Sequence, residues 1–535
     1  MSDTRGLRLL TTKPLFLDAS AVVGHLERTL IPLGIIAGLV FVFVGNGRPL
    51  WLDEVSSLVL ARDNLQGLLE HLRNDDNLPA YYLILHQWMA LLGDSEAAAR
   101  GLSGLLYLAT VGIVILIALY LFNDKRSAYY SGFFYLISTQ AIHQAQNIRS
   151  YALLGFCASL STLFYIRLLR SATPALKDTI ACVAVNVFGS FTHIWFLFLI
   201  AAEFVVGLWF IPRRYFLRVA MLASLTVFPF AMLWGLPLLN QLGNGATASL
   251  NSWMPSFQWL FVPDIFLQYY GGMMAGAYFY IACILLVLPF RDVAFCSFLH
   301  QTPIRILIAL VAAAISLSMV VCVFKPIYWP GRYTIIALPA LASIVGVTLA
   351  RFANRPLLLC FCYALLVLTI VNQVGSRNDL FGSQLPPRQS DRYTAAFIRD
   401  HARKNDVLVF TSLSRVAVDY YLKQYGYGEY FREMSFPLEI DHHPFWRDVS
   451  VMLRNRHLLE VEAERAVETW KQAAVRDGST IWVLYGGDLP VSEILKQQLD
   501  RRLTLEQELG LQGPFHSSIL KYIKTSDSSN EIERD

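Results

Sequence analysis

Charge is scarce in this sequence. Only 16% of its 535 residues are Asp, Glu, Lys or Arg, and the net charge is +4, too small a surplus to argue for a nucleic-acid partner. Glycine-rich phosphate loops are missing as well. With no Walker loop and no dinucleotide fingerprint, the chain shows no sign of using ATP or a nucleotide cofactor directly. The seven cysteines (Cys157, Cys182, Cys283, Cys296, Cys322, Cys360 and Cys362) have no zinc-type spacing. None lies beyond residue 362, so disulfides do not support the C-terminal part of the chain.

Hydrocarbon is abundant instead: 55% of residues are hydrophobic and the mean hydropathy is +0.45. A helix crossing a bilayer needs about 20 apolar residues, and the sequence offers such runs repeatedly, so it reads as a polytopic membrane protein. Candidate spans lie near 29–46, 98–122, 127–144, 150–168, 179–192, 194–211, 216–236, 270–290, 304–324, 333–350 and 356–373. The first follows a polar segment, 1–28, with Arg5, Arg8, Lys13 and Arg28. No small-residue cleavage site comes after it, so it reads as a retained helix. Basic residues concentrate in alternate loops (Lys125, Arg126; Arg167, Arg170, Lys177; Arg213, Arg214, Arg218; Arg291, Arg305; Arg351, Arg355). By the positive-inside rule those loops and the N-terminus are cytoplasmic, and an odd span number puts the C-terminus outside.

The first outer loop, 47–97, contains "RPLWLDEVSSL", two adjacent acids just past a hydrocarbon run. "EVSSLVLARDNLQGLLEHL" has helical apolar spacing and predicts an amphipathic helix on the membrane surface. "LPAYYLILHQWMALLG" is too short to span and predicts an interfacial or re-entrant helix. Asp53 and Glu54 have the chemistry of a general base and its orienting or metal-holding neighbour. The alternative is that both cap the helix that follows, where its dipole favours carboxylates.

More polar groups fall on the same face: His143, Asn147, Arg149 and Tyr151 in "HQAQNIRSYALL", His193 in "THIW", and Lys325, Arg332 and Tyr333 in "FKPIYWPGRYT". Arginines on an outer face run against the positive-inside trend and suit bidentate phosphate binding. Snorkelling or a local salt bridge is the other reading for Arg149 and Arg332, and simple packing for His193. Glu203, an acid well inside a span, is expected to pair within the bundle. After residue 373 the composition turns polar. A linker, "GSQLPPRQS", precedes predicted helices at "SDRYTAAFIRDHARK" and "EAERAVETWKQAAVRDG" and strands at "NDVLVFTS", "STIWVLYGG" and "FHSSILKYIKT". This makes 374–520 a small α/β domain, with 521–535 expected to be disordered.

"WLDE", "DDNLPAYYLILHQWMALLGDSEAAARGLS", "QNIRSYALL", "THIW" and "GRYTIIALPAL" together resemble the bacterial GT-C glycosyltransferases of the family 39, protein-mannosyltransferase-like group, which includes aminoarabinose and galacturonic acid transferases. The resemblance covers most of 29–373. It implies a GT-C transmembrane catalytic domain of about 11 helices with juxtamembrane helices in 47–97, set in the bacterial inner membrane, with the C-terminal α/β domain periplasmic. Its implied donor is a polyprenyl-phosphate-linked sugar. The acceptor is a hydroxyl of lipid A, core oligosaccharide, another glycan or a protein, with membrane lipid around the site. Asp53 matches the family's catalytic aspartate, with Glu54 beside it. For such a donor, Arg149, Lys325, Arg332 and Tyr333 are expected to bind the phosphate, and Tyr81, Tyr82, His86, His143, Asn147, Tyr151 and His193 to line the substrate cavity; the resemblance itself carries Arg149, Arg332, Tyr333, Tyr81, Tyr82, His86, Tyr151 and His193. Trp88, Gly93, Ser95, Glu96 and Arg100 complete the juxtamembrane pattern. Leu78, Pro79 and Ala80 stand where the family usually has two prolines and a leucine before its tyrosines, and Asn147 stands where many relatives carry glutamate. No cofactor is implied with certainty, and a divalent metal stays open. A lipid or glycan transporter or flippase, or a non-catalytic scaffold of a polysaccharide assembly complex, are the rival readings.

Overall fold

A computed structural model of the chain describes residues 19–43, 48–73, 77–171, 173–210, 212, 216–243, 254–290, 293–375, 390–411, 414–438, 452–486, 489–510 and 517–524. The leader before residue 19, Arg213, Arg214, Arg291, the linker up to 389 and the tail from 525 lie outside them. Helix α1 (Ala19–Phe43) leads into α2 (Leu52–Arg62), α3 (Leu65–Arg73) and α4 (Pro79–Leu92). Then follow α5 (Glu96–Phe122), α6 (Lys125–Leu136), α7 (Thr139–Ala145), α8 (Tyr151–Arg170), α9 (Leu176–Ser190), α10 (Phe196–Phe210) and α11 (Phe216–Gly243). After these come α12 (Phe261–Tyr269), α13 (Gly272–Val287), α14 (Val293–Leu299), α15 (Thr302–Phe324), a 3-10 turn (Tyr333–Ala337) continuous with α16 (Leu338–Phe352), and α17 (Arg355–Gly375). Among the described residues seven helices are long and apolar enough to cross a bilayer, or eight if α12 and α13, bent by 75°, form one broken span. The chain is a polytopic helical membrane protein.

Two predicted helices are each divided in the structure. The stretch read as one amphipathic helix is α2 and α3. Asp63 leaves the helical region at the end of α2, and Asn64 Oδ1 accepts the Gly67 N–H at 2.9 Å to start α3. Nor does α2 rest on a surface: Glu54, Val55, Ser56, Ser57, Leu58, Leu60 and Ala61 are all buried in protein. The predicted span 127–144 is likewise α6 and α7. Ser138 Oγ accepts the Ala141 N–H at 3.4 Å and donates to the Tyr269 carbonyl at 2.8 Å, so a cap and a tertiary bond compete with helix continuation there. In the bundle, α6 and α16 meet at small residues. A Cβ on Gly346 would stand 2.3 Å from the Ser131 nitrogen, so only glycine permits this approach.

The C-terminal residues form α18 (Asp391–His401), β1 (Val407–Thr411), α19 (Ser414–Gln424), β2 (Arg432–Phe436), α20 (Arg456–Asp477), β3 (Ile481–Tyr485), α21 (Leu489–Arg502), β4 (Thr504–Leu509) and β5 (Ser518–Ile523). Their sheet has the order β2-β1-β3-β5-β4. β1 pairs parallel with β2 (Val407 opposite Arg432) and with β3 (Val407 opposite Ile481), and β5 runs antiparallel to β3 and β4. β1 is buried on both faces and alternates between two cores. Val407 and Val409 pack with Ala463, Val467 and Leu495 of α20 and α21. Leu408 and Phe410 share the other core with Ala395, Ile398, Ala417 and Val418 of α18 and α19. That second core is continuous with the helical bundle, which places α19 against α2.

Candidate active site

The N-terminus of α2 is the meeting point. Trp51 is its N-cap, so Asp53 and Glu54 fall in its first turn. Consecutive residues on a helix are about 100° apart, and the two acids face different surroundings. Glu54 turns inward. Its side chain is 0% exposed, and Arg100, equally buried on α5, grips it through Nε to Oε1 at 2.8 Å and Nη2 to Oε2 at 2.5 Å. The Ile148 N–H adds a bond at 3.2 Å, and the Trp51 N–H one at 3.4 Å. Burial opposes ionisation of Glu54, but the Arg100 and Arg48 charges and these bonds outweigh it and hold its carboxyl below the ordinary carboxylate range.

Asp53 turns outward, with its side chain 28% exposed. Its Oδ2 lies 3.6 Å from Arg332 Nη1 and 3.9 Å from Arg149 Nε. Both separations are ion-pair distances too long for hydrogen bonds. Arg149 enters from the turn between α7 and α8, donates from Nη1 to Tyr82 Oη at 3.3 Å, and stands 6.0 Å from the Tyr151 ring. Its Nε is buried with no hydrogen-bond partner among the described residues. Arg332 comes from the connection between α15 and the 3-10 turn. Its guanidinium lies over the rings of Trp51 at 5.2 Å and Trp329 at 5.8 Å. Burial works against the charge of both arginines, but Asp53 and the nearby tyrosines more than restore it.

Asn147 reaches this centre through Trp51, whose Nε1 donates to Asn147 Oδ1 at 3.1 Å. One wall is aromatic. Tyr151, His193 and Tyr333 stand 5.2–5.8 Å apart, and Trp195 stacks on Tyr333 at 5.3 Å. His193 Nδ1 accepts the Trp195 N–H at 3.2 Å, so the neutral ring carries its proton on Nε2. The His193 loop is tied to the segment that carries α2–α4 where the Ala80 N–H, one of the orphan donors at the start of α4, binds the Phe191 carbonyl at 3.0 Å.

The remaining predicted residues lie around this centre or apart from it. Tyr81 is buried edge-on to Tyr82 at 5.5 Å. His86 bonds the Ala61 carbonyl at 2.8 Å, at the opposite end of α2 from Asp53. His143 contacts Gln144 on α7, and Gln144 donates to the Gly331 carbonyl at 3.0 Å, bracing the Arg332 connection. Lys325 caps α15 at the far end of that connection, and its ammonium has no ion-pair partner among the described residues. No three His, Cys, Asp or Glu side chains converge on a metal-sized site among the described residues. The charged neighbours of Asp53 are two cations, and both oxygens of Glu54 are engaged, so this donor set does not fit a resident metal ion.

No family model matches the sequence, and no curated protein matches it. Two solved structures of ArnT from Cupriavidus metallidurans do. The one bound to undecaprenyl phosphate has a TM-score of 0.56 at 12% identity, and the apo form 0.57 at 14%. Each alignment covers 94% of this chain and 98% of the other. The fold is that of the GT-C glycosyltransferases. At this identity the likeness is one of fold, and it extends through the C-terminal sheet as well as the helices. Within this GT-C fold, sequence reasoning passed over three participants. Trp51 is the platform under Arg332. Arg48 donates to the Gln146 carbonyl at 2.7 Å, and burial together with Arg100 pushes it down to about 10. Tyr421 of α19 accepts the Leu50 N–H at 2.8 Å and donates to Glu96 Oε1 at 2.6 Å, while Arg392 of α18 pairs with Glu96. Only the position of Trp51, two residues before Asp53, could have signalled its role; Tyr421 had no such signal.

Proposed function

We propose that the chain is a membrane glycosyltransferase that moves a sugar from a polyprenyl-phosphate donor to a hydroxyl acceptor at the outer face of a bacterial inner membrane. The observation that carries this is the partly exposed Asp53 carboxylate facing two guanidiniums, Arg149 and Arg332, that are paired with it only at 3.6–3.9 Å. One carboxylate against two cations leaves a positive surplus at a partly buried centre, and among the described residues the Arg149 Nε lacks an acceptor. Such a centre suits a phosphate ester. The ArnT structure that shares this fold binds undecaprenyl phosphate, and the same class of lipid fits the two arginines here, with Lys325 and Tyr333 at the margin of the phosphate.

In this reaction Asp53 takes the proton of the acceptor hydroxyl while its oxygen attacks the anomeric carbon. The bond from that carbon to the phosphate oxygen breaks. Its electron pair goes to the polyprenyl phosphate, whose charge Arg149 and Arg332 neutralise. A single displacement inverts the anomeric configuration. Tyr82, Tyr151, His193, Asn147 and Tyr333 shape the cavity and hold the arginines. Glu54 acts as a positioning residue that sets the N-terminus of α2 against Arg100. The energy resides in the sugar–phosphate bond, and no nucleotide is consumed. Transfer of labelled sugar from a panel of polyprenyl-phosphate sugars tests the proposal. Asp53→Asn is expected to lower the rate about 10²–10⁴-fold at equal expression. Glycan assembly restored equally by wild type and Asp53→Asn in cells would refute Asp53 as the base.

A further inference from the structure

A second cluster of arginines lies at the far end of α5 from Asp53. α5 starts beside Arg100 and runs 27 residues, a rise of about 40 Å, before the chain turns into α6 at Lys125. There Glu27 of α1 accepts Arg126 Nε at 2.8 Å and Tyr130 Oη at 3.2 Å, and it also pairs with Arg355 of α17. One carboxylate thus joins three helices and is shared by two guanidiniums. Arg28, one residue on, is exposed and, among the described residues, bonds only the Gly24 carbonyl, through Nε at 3.0 Å. Three arginines around one acid leave a surplus of two positive charges. Arg126 Nη2 is buried with no hydrogen-bond partner among the described residues.

Arg28 and Arg126 stand on a cavity of about 190 Å³ between α1 and α6, lined also by the Glu27 carboxylate they surround and by Leu30, Tyr129, Tyr130 and Phe133. Cations stand beside the apolar wall, and a buried donor still lacks an acceptor. We propose that this cleft binds an anionic phospholipid, with the phosphate on Arg28 and Arg126 and the top of one acyl chain against Leu30, Tyr129 and Phe133. The lipid comes from the leaflet opposite Asp53, which is the cytoplasmic leaflet in the proposed orientation. A soluble phosphate would satisfy the arginines but leave the apolar wall uncovered, and a zwitterionic lipid would leave the charge surplus unmatched. The site takes no part in the proposed sugar transfer and does not depend on it.

Native mass spectrometry of the full-length protein released from detergent tests this with dioleoylphosphatidylglycerol and dioleoylphosphatidylcholine as probes. Wild type is expected to retain the anionic lipid preferentially. Arg28→Gln, which leaves the Glu27 pairs intact, is expected to weaken retention about fivefold, and Arg28→Gln with Arg126→Gln by a further similar factor. Equal retention of the two lipids, or unchanged retention in Arg28→Gln, overturns the proposal. Displacement of the bound lipid by millimolar inorganic phosphate also overturns it, since that would show an anion site to which the apolar wall adds nothing. Arg28→Gln alone decides the matter if the double variant fails to fold.

Discussion

Asp53 and Glu54 are neighbours with opposite duties. Glu54 is fully buried with a fully buried arginine, and removing one partner of such a pair strands the other charge in protein. Glu54→Gln is therefore expected to cost about 3–5 kcal/mol. Asp53→Asn loses only two long, partly solvated ion pairs and is expected to change stability by less than about 1 kcal/mol. Thermal unfolding of the two variants in one detergent separates these cases, and equal losses would remove the distinction. The adjacency of the acids was legible in "WLDE". Their division of labour was not, because it depends on which side of α2 meets α5, and Arg100 lies 46 positions away.

At the scale of elements, α19 has a grip on the loop that carries Asp53. The Tyr421 hydroxyl takes the Leu50 N–H and gives its own proton to Glu96, at the first turn of α5. Arg62, at the other end of α2, lies 4.6 Å over the Tyr420 ring. Tyr421→Phe keeps the ring and removes both bonds, each worth about 1 kcal/mol. Turnover in the proposed reaction is expected to fall several-fold with little change in donor KM, and hydrogen exchange at the Leu50 amide is expected to accelerate. Unchanged exchange at Leu50 would sink the idea whether or not transfer is ever measured. Short apolar runs bounded by turn residues, such as "NDVLVFTS" and "STIWVLYGG", were legible as buried strands. β2, β4, α19 and α21 were not picked out. β4 is largely exposed, so no apolar pattern marks it, and α19 declares its importance only through what it touches.

At the scale of the molecule, the C-terminal unit carries its own pH dependence. Burial comes first, and the charge of Asp419 second, in pushing the Glu433 carboxyl up to about 8, against the pull of Arg415 and Lys423. The folded state therefore keeps a proton that the unfolded chain releases above about 4.5. The contribution to stability is fully present below that value and is lost as pH rises through about 8. Thermal unfolding of the full-length protein is expected to shift downward between pH 5 and about 8.5 in the transition that exposes Trp470 and Trp482, and Glu433→Gln should reduce that shift, leaving the part due to the Asp391 carboxyl, which burial pushes up to about 7. A wild-type transition insensitive to pH over this window would contradict it.

Hydropathy and local spacing settled by themselves that the chain is a membrane protein with a polar α/β unit at its end and an acid motif beside its first span. Burial in a bilayer demands long apolar runs, and such runs are visible one residue at a time. The resemblance of short motifs pointed to the GT-C fold, and for the fold that expectation holds. Tertiary structure decided that Asp53 faces Arg149 and Arg332, that Glu54 belongs to Arg100, and that Trp51 supports Arg332. It also decided that Tyr421 reaches Leu50. Each of these is a pairing between segments far apart in the chain, set by how helices pack, and no local pattern encodes which distant side chain will arrive.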